Sequence, residues 1–198
     1  MTTANKITIS RMVLIPIFVV FAAYYSQSIR NGSEILWLRI AALASFGIAA
    51  LSDALDGYIA RNFNQSTALG RVLDPVADKL LLLSGIIVLS VTDWQPTLPI
   101  WFAVLVISRD IVIVVGVLII QSFIGKVKMR PLITSKICTF LQLSCVCWVL
   151  LDFWSVEARP IPLDLLICFA AIFTLISGVQ YVREGIDQLR EAGHTLPE

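Results

Sequence analysis

The chain has 198 residues, of which 58% are hydrophobic and 15% charged, with a mean hydropathy of +0.85. An ordinary soluble domain has about 45–50% apolar residues, so this composition argues against a soluble globular protein and indicates a membrane protein. The formal net charge is +1, which gives no indication of nucleic-acid binding.

Six apolar segments follow one another along the chain, each close to the roughly 20 residues that a helix needs to cross a bilayer. They lack the alternation of barrel strands, and helices satisfy their own backbone hydrogen bonds in lipid. We therefore predict an all-α polytopic membrane protein with about six transmembrane helices and a single domain over residues 1–198. The predicted spans are about 8–26, 35–56, 73–92, 97–121, 132–152 and 161–182.

Lysine and arginine residues indicate the orientation, because cytoplasmic loops are enriched in both. When both termini are placed in the cytoplasm, the outer connections contain only Arg30, Arg39 and Arg159 of the fifteen basic residues. This orientation places the link between the second and third predicted helices at the cytoplasmic surface.

Four aspartates flank that link. Asp53 and Asp56 are three residues apart at the end of one helix, and Asp74 and Asp78 are four apart at the start of the next, so each pair shares a helix face. The short link returns the second helix antiparallel, and we expect the four carboxylates to converge. Such a cluster of anions requires compensating cations. Oxygen ligands without nearby His or Cys favour Mg²⁺, Mn²⁺ or Ca²⁺, and a diphosphate substrate would complete the site.

Small residues accompany the aspartates. Gly57, Ala60 and Gly70 have small side chains or none, so a ligand could approach the helix backbone beside the carboxylates. Tight helix packing is an alternative explanation for each glycine taken alone. Arg61 adds a planar cation suited to phosphate. Pro75 predicts that the third helix begins there, with the preceding aspartate near its N-cap.

Together these residues form the pattern DxxDGxxARx₈GxxxDxxxD, which resembles the signature of the CDP-alcohol phosphatidyltransferase family. The stretches "RMVLIPIFVVF" and "LDPVADKLL" are similar to the glycerol-phosphate and cardiolipin branch of that family. The eight matching positions are Asp53, Asp56, Gly57, Ala60, Arg61, Gly70, Asp74 and Asp78.

The resemblance implies that the phosphatidyl group of CDP-diacylglycerol is transferred to an alcohol, with release of CMP and without a covalent intermediate. It implies that Asp53, Asp56 and Asp74 hold two divalent ions, Mg²⁺ or Mn²⁺, on the diphosphate. It also implies that Asp78 takes the proton from the acceptor hydroxyl and shares in metal binding.

The same resemblance assigns the remaining motif residues to CDP-diacylglycerol: Gly57, Ala60, Arg61 and Gly70 would border its cytidine and diphosphate. It further implies a homodimer. We expect the protein in a bacterial inner (plasma) membrane, and the distribution of lysine and arginine places the active site at the cytoplasmic face. Lipid substrate would then enter from the bilayer and a polar acceptor from the cytosol.

The acceptor site is predicted from charges outside the motif. Arg109 lies well inside the fourth predicted span, where a charge is costly and is either functional or paired, here with the adjacent Asp110. Lys136 belongs to a basic cluster on the inner side, which also serves as an orientation signal or a contact for anionic lipid. We predict that Arg109 and Lys136 bind the acceptor.

Two acceptors fit the sequence. Phosphatidylglycerophosphate synthases tend to carry a GKxKT-like stretch where this chain has "SKICT", so Cys138 replaces a lysine. The stretches "ISRD" and "PLITSK" are similar to cardiolipin synthases that use phosphatidylglycerol. We favour glycerol 3-phosphate as the acceptor, with phosphatidylglycerol as the alternative. A membrane prenyltransferase and a divalent-cation transporter are more remote, because the first lacks the DG and AR elements and the second predicts an internal repeat that is absent here.

Overall fold

The computed structural model describes residues 3–63, 70–124, 133–151 and 160–193, with side chains described for 10–52, 76–122, 133–151 and 160–190. Within these ranges the regular secondary structure is entirely α-helical, which confirms the predicted all-α class. The six helices are α1 (Thr3–Arg30), α2 (Leu36–Phe63), α3 (Gly70–Val91), α4 (Ile100–Ile124), α5 (Ile133–Leu151) and α6 (Ile161–Gly193).

Four stretches of the described chain are long and apolar enough to cross a membrane: Ser10–Arg30, Ile100–Ser122, Ile133–Leu151 and Ile161–Arg190. Leu36–Ser52 is apolar but shorter. Large apolar side chains are exposed along the described helices, as expected for a surface that faces lipid rather than water. The chain is therefore an all-helical membrane protein, while six spans and cytoplasmic termini stay predictions.

The predicted start of the third helix is wrong. Helix α3 begins at Gly70, so Asp74 and Pro75 lie inside its second turn rather than at its N-cap. Pro75 is the sixth residue of α3, so it removes one intrahelical hydrogen bond instead of marking the first helical position. As a consequence, Asp74 and Asp78 belong to one continuous helix.

The described residues form two compact units. The first comprises Met1–Leu98 and Val146–Pro160, and in it α1, α2 and α3 pack against one another. Phe18 of α1 and Phe46 of α2 meet in its core with ring centroids 5.2 Å apart. A Cβ atom on Gly85 of α3 would lie 3.0 Å from Val146 Cγ1 and 3.1 Å from Phe46 Cε2, so a glycine is needed for this close approach.

Arg39 marks the opposite end of this unit from the acidic motif. It was predicted in an outer connection, but it lies in the first turn of α2 and is buried. Its guanidinium donates to the Val149 carbonyl oxygen at 3.2 Å and lies 5.8 Å and 5.3 Å from the ring centroids of Tyr25 and Trp94. The Trp94 indole donates in turn to the Ala22 carbonyl oxygen. These contacts tie the end of α1 to the start of α2.

The second unit comprises Pro99–Cys145 and Ile161–Glu198, and in it α4 packs against α6. Polar side chains on α5 join both of these helices through hydrogen bonds, which is a common way to hold apolar helices together in lipid. The buried Thr174 of α6, for example, accepts from Gln142 Nε2 at 3.0 Å and contacts Cys138 Sγ at 3.2 Å.

Candidate functional site

The acidic motif lies on two contacting helices of the first unit. Asp53 and Asp56 belong to α2, Asp74 and Asp78 belong to α3, and α2 packs against α3. The helical course of both segments preserves the spacing that places each pair on one face. Convergence of the four carboxylates stays a prediction, because the side chains of the first three lie outside the described residues.

The side chains of the other motif residues are likewise not described. The backbone of Gly57, Ala60 and Arg61 is helical within α2, and Gly70 is the first residue of α3. Their side-chain surroundings lie outside the described residues. Their predicted contact with CDP-diacylglycerol is therefore a proposal taken up below.

Asp78 is the motif aspartate whose side chain is described, and it forms an ion pair with Arg11 of α1. The Arg11 side chain is fully buried, whereas 44% of the Asp78 side chain is exposed. A buried guanidinium thus holds a side chain that is itself partly exposed. The sequence prediction missed Arg11, although a cation inside the first predicted span, 8–26, was the available signal.

The motif has the donor chemistry that a hard divalent ion requires. Its candidate ligands are carboxylates, which suit Mg²⁺ or Mn²⁺. Asp78 is the one of the four aspartates whose side chain is described, and 44% of that side chain is exposed. The four aspartates suit a divalent ion by residue type, and the metal site itself stays a prediction.

Arg109 of α4 sits at the centre of a polar cluster in the second unit. Its Nη1 pairs with Asp110 Oδ1 at 2.7 Å, which confirms the ion pair considered from the sequence. Its Nη2 donates to Ser135 Oγ of α5 at 3.0 Å and to Ser177 Oγ of α6 at 2.6 Å. The guanidinium also lies 5.5 Å from the centroid of the Tyr181 ring. Three helices therefore fix one cation within the bundle.

Lys136 lies in the first turn of α5 and is exposed. It lines an open groove of about 400 Å³ together with Ser135 and Thr139. Ser135 accepts a hydrogen bond from Arg109, but Arg109 itself lines a different cavity of about 460 Å³. The two cations predicted to bind the acceptor therefore do not share one groove. The sequence prediction missed the two serines, since nothing local distinguishes them from other serines in apolar helices.

The helical membrane fold and the acidic motif agree with a family match that covers most of the chain. The chain belongs to the CDP-alcohol phosphatidyltransferase family, whose sequence model matches residues 1–179. This match confirms the resemblance that the motif indicated. The family generally depends on a divalent metal ion.

Relatives carry both of the activities considered from the sequence. A Bacillus subtilis protein named CDP-diacylglycerol–glycerol-3-phosphate 3-phosphatidyltransferase is 34% identical over 190 residues, 94% of this chain and 96% of that protein. A probable phosphatidylglycerophosphate synthase of Mycobacterium tuberculosis is 30% identical over 186 residues, 92% of this chain and 81% of that protein. A human cardiolipin synthase (CMP-forming) is 33% identical over 160 residues, 73% of this chain and 52% of that protein.

Proposed function

We propose that this protein transfers the phosphatidyl group of CDP-diacylglycerol to sn-glycerol 3-phosphate, which gives phosphatidylglycerophosphate and CMP. The observation that carries the proposal is the match along nearly the full length of the Bacillus subtilis enzyme named for that activity. The complete eight-position motif supports it at the level of individual residues.

The proposed transfer is a single displacement at phosphorus. The acceptor oxygen forms a bond to the phosphorus that carries diacylglycerol, the bond from that phosphorus to the CMP oxygen breaks, and CMP leaves with the bonding electrons. Asp78 accepts the proton of the attacking hydroxyl, as a general base should. The ion pair with Arg11 supports this role because it fixes the carboxylate while nearly half of the side chain stays accessible.

Asp53, Asp56, Asp74 and Asp78 are proposed to hold two divalent ions, Mg²⁺ or Mn²⁺. Such ions, when bound, neutralise charge on a diphosphate and on its leaving group. Their placement on the contacting helices α2 and α3 supports a shared metal site.

Gly57, Ala60, Arg61 and Gly70 are proposed to bind CDP-diacylglycerol. The glycines and the alanine lack bulk on the helices that carry the carboxylates, and an arginine suits a diphosphate.

Arg109 and Lys136 are proposed to bind the phosphate of the acceptor. Arg109 is held by Asp110 and by two uncharged hydroxyl groups, and Lys136 is exposed beside an open groove. Both features suit recognition of a phosphorylated polar substrate.

Cardiolipin synthesis from phosphatidylglycerol is the second candidate. The similarity to the human cardiolipin synthase favours it, as does Cys138. A lysine at this position would add a positive charge near a phosphorylated acceptor. Cys138 adds none, because it is a buried thiol that is hydrogen-bonded to Thr174 and Gln142.

The wider setting is proposed on the same grounds. Bacterial relatives and apolar helices support an integral protein of a bacterial inner (plasma) membrane, with the active site at its cytoplasmic face. The family match over residues 1–179 supports a single catalytic domain. A homodimer remains part of the proposal on the family resemblance alone.

The test is CMP release by the purified full-length protein in detergent with CDP-diacylglycerol and Mg²⁺. Glycerol 3-phosphate and phosphatidylglycerol are supplied in separate reactions, and lipid products are identified by mass spectrometry. We expect phosphatidylglycerophosphate in the first reaction. Product only in the second reaction would replace the main proposal by cardiolipin synthesis. If CMP is released in neither reaction, both proposed activities are overturned.

A further inference from the structure

The hydrogen bonds of Arg109 differ in kind from its ion pair. Asp110 carries a charge that offsets part of the guanidinium charge, whereas Ser135 and Ser177 accept hydrogen bonds without adding charge. Both serine bonds use Nη2, so they fix the plane of the guanidinium. The two serines therefore orient the cation without adding to the negative charge that Asp110 already supplies.

Burial makes this orientation firm. Only 10% of the Arg109 side chain is exposed, and Ser177 is fully buried. Among the described residues, the buried Nε of Arg109 has no hydrogen-bond partner. A buried donor without a partner is costly in a native structure and is commonly explained by a ligand, water or ion.

The stem of Arg109 is accommodated by a gap on α6. A Cβ atom on Gly178 would lie 3.5 Å from Arg109 Cγ, so an alanine fits there, while a larger side chain would displace the stem. Gly178 directly follows Ser177, and one turn of α6 thus supplies both the space for the stem and the acceptor for its tip.

Ser135 connects the arrangement to the second proposed acceptor ligand. It precedes Lys136 on α5 and lines the same open groove. In the same turn of α5, Thr134 donates a hydrogen bond to Gln180 of α6. Arg109 is consequently fixed against the part of the bundle that carries Lys136.

We propose that Ser177 and Ser135 are positioning residues that hold the Arg109 guanidinium for the phosphate group of the acceptor. This inference rests on the proposed function and deepens it. The ligand chemistry is a phosphate oxyanion, from either the monoester of glycerol 3-phosphate or the diester of phosphatidylglycerol.

The test compares Ser177→Ala with the wild-type full-length protein. KM and kcat are measured for each acceptor at saturating CDP-diacylglycerol, and KM is measured for CDP-diacylglycerol. Loss of a hydrogen bond to a charged group corresponds to roughly tenfold in affinity or more. We expect KM for the acceptor used by the wild type to rise about tenfold, with KM for CDP-diacylglycerol unchanged. A rise for only one acceptor identifies the source of the phosphate. Ser177→Thr, which keeps the hydroxyl, should restore most of the loss.

Thr174→Ala is the matched control. Thr174 is a buried hydroxyl residue one turn earlier on α6, but its partners are Gln142 and Cys138 rather than Arg109. We expect this variant to lower the melting temperature without raising KM for the acceptor. Equal rises in both variants would show a general packing effect and overturn the inference.

Other outcomes separate the inference from the function on which it rests. Wild-type turnover with an unchanged acceptor KM in Ser177→Ala overturns the inference alone. If the wild-type protein does not release CMP with either acceptor, the proposed function is overturned, and the inference with it. If Ser177→Ala does not fold, Ser135→Ala at the less buried serine takes its place, with the same expected rise and the same contrary result.

Discussion

Replacing Arg11 with methionine should weaken the fold and impair catalysis together, because Arg11 pairs with the proposed general base. Removing one partner of a fully buried ion pair costs about 3–5 kcal/mol. Here Arg11 is fully buried, but 44% of the Asp78 side chain is exposed, so water can solvate part of the remaining carboxylate. Methionine fills most of the vacated volume. We therefore expect a loss of about 2 kcal/mol, which corresponds to a fall of roughly 4–8 °C in melting temperature for a chain of this size.

A double-mutant cycle isolates the contribution of the ion pair. Thermal unfolding in detergent is measured for Arg11→Met, Asp78→Asn and the double variant. The neutral asparagine no longer needs a cation, so the double variant should be at least about 1 kcal/mol more stable than the sum of the single changes. Arg30→Met is the control on the same helix, since Arg30 pairs with Asp93 at the surface at 2.8 Å and should change stability by less than about 1 kcal/mol. Strictly additive losses, or an equal loss in the control, would refute the reasoning.

Three further predictions concern packing, the metal ions and the motif. Gly85→Leu should cost about 2–3 kcal/mol by overpacking against Val146 and Phe46; a melting temperature within error of wild type would contradict this packing. Chelation with EDTA should abolish CMP release, and added Mg²⁺ or Mn²⁺ should restore it, whereas full activity in EDTA would remove the metal from the proposal. Asp78→Asn should abolish transfer while metal-dependent binding of CDP-diacylglycerol persists, and Asp56→Ala should weaken that binding as measured by titration calorimetry. Turnover in the first variant, or wild-type binding in the second, would contradict the assigned roles.

The sequence predicted the helices well because long apolar segments leave the backbone few alternatives in lipid. It predicted that each aspartate pair lies on one helix because the spacing of Asp53 and Asp56, and of Asp74 and Asp78, is local. It failed at the start of α3, where Pro75 suggested a helix start that lies one turn further upstream.

The partners of the buried charged side chains could not be predicted from local sequence patterns. Arg11 meets Asp78 across 67 residues of sequence, and Arg109 meets Ser177 across 68. Such pairs depend on how whole helices pack, which neither hydropathy nor spacing encodes. Arg39 shows the same limit, because an arginine that counted as an outer-loop charge is buried against aromatic rings.

The most direct test of the proposed activity is a competition between the two acceptors in one reaction. Purified protein, CDP-diacylglycerol and Mg²⁺ are incubated with glycerol 3-phosphate and phosphatidylglycerol at equal concentration, and initial product amounts are measured by mass spectrometry. We predict phosphatidylglycerophosphate as the main product, formed in equal amount to CMP. Cardiolipin as the main product would contradict the assignment of glycerol 3-phosphate as the acceptor.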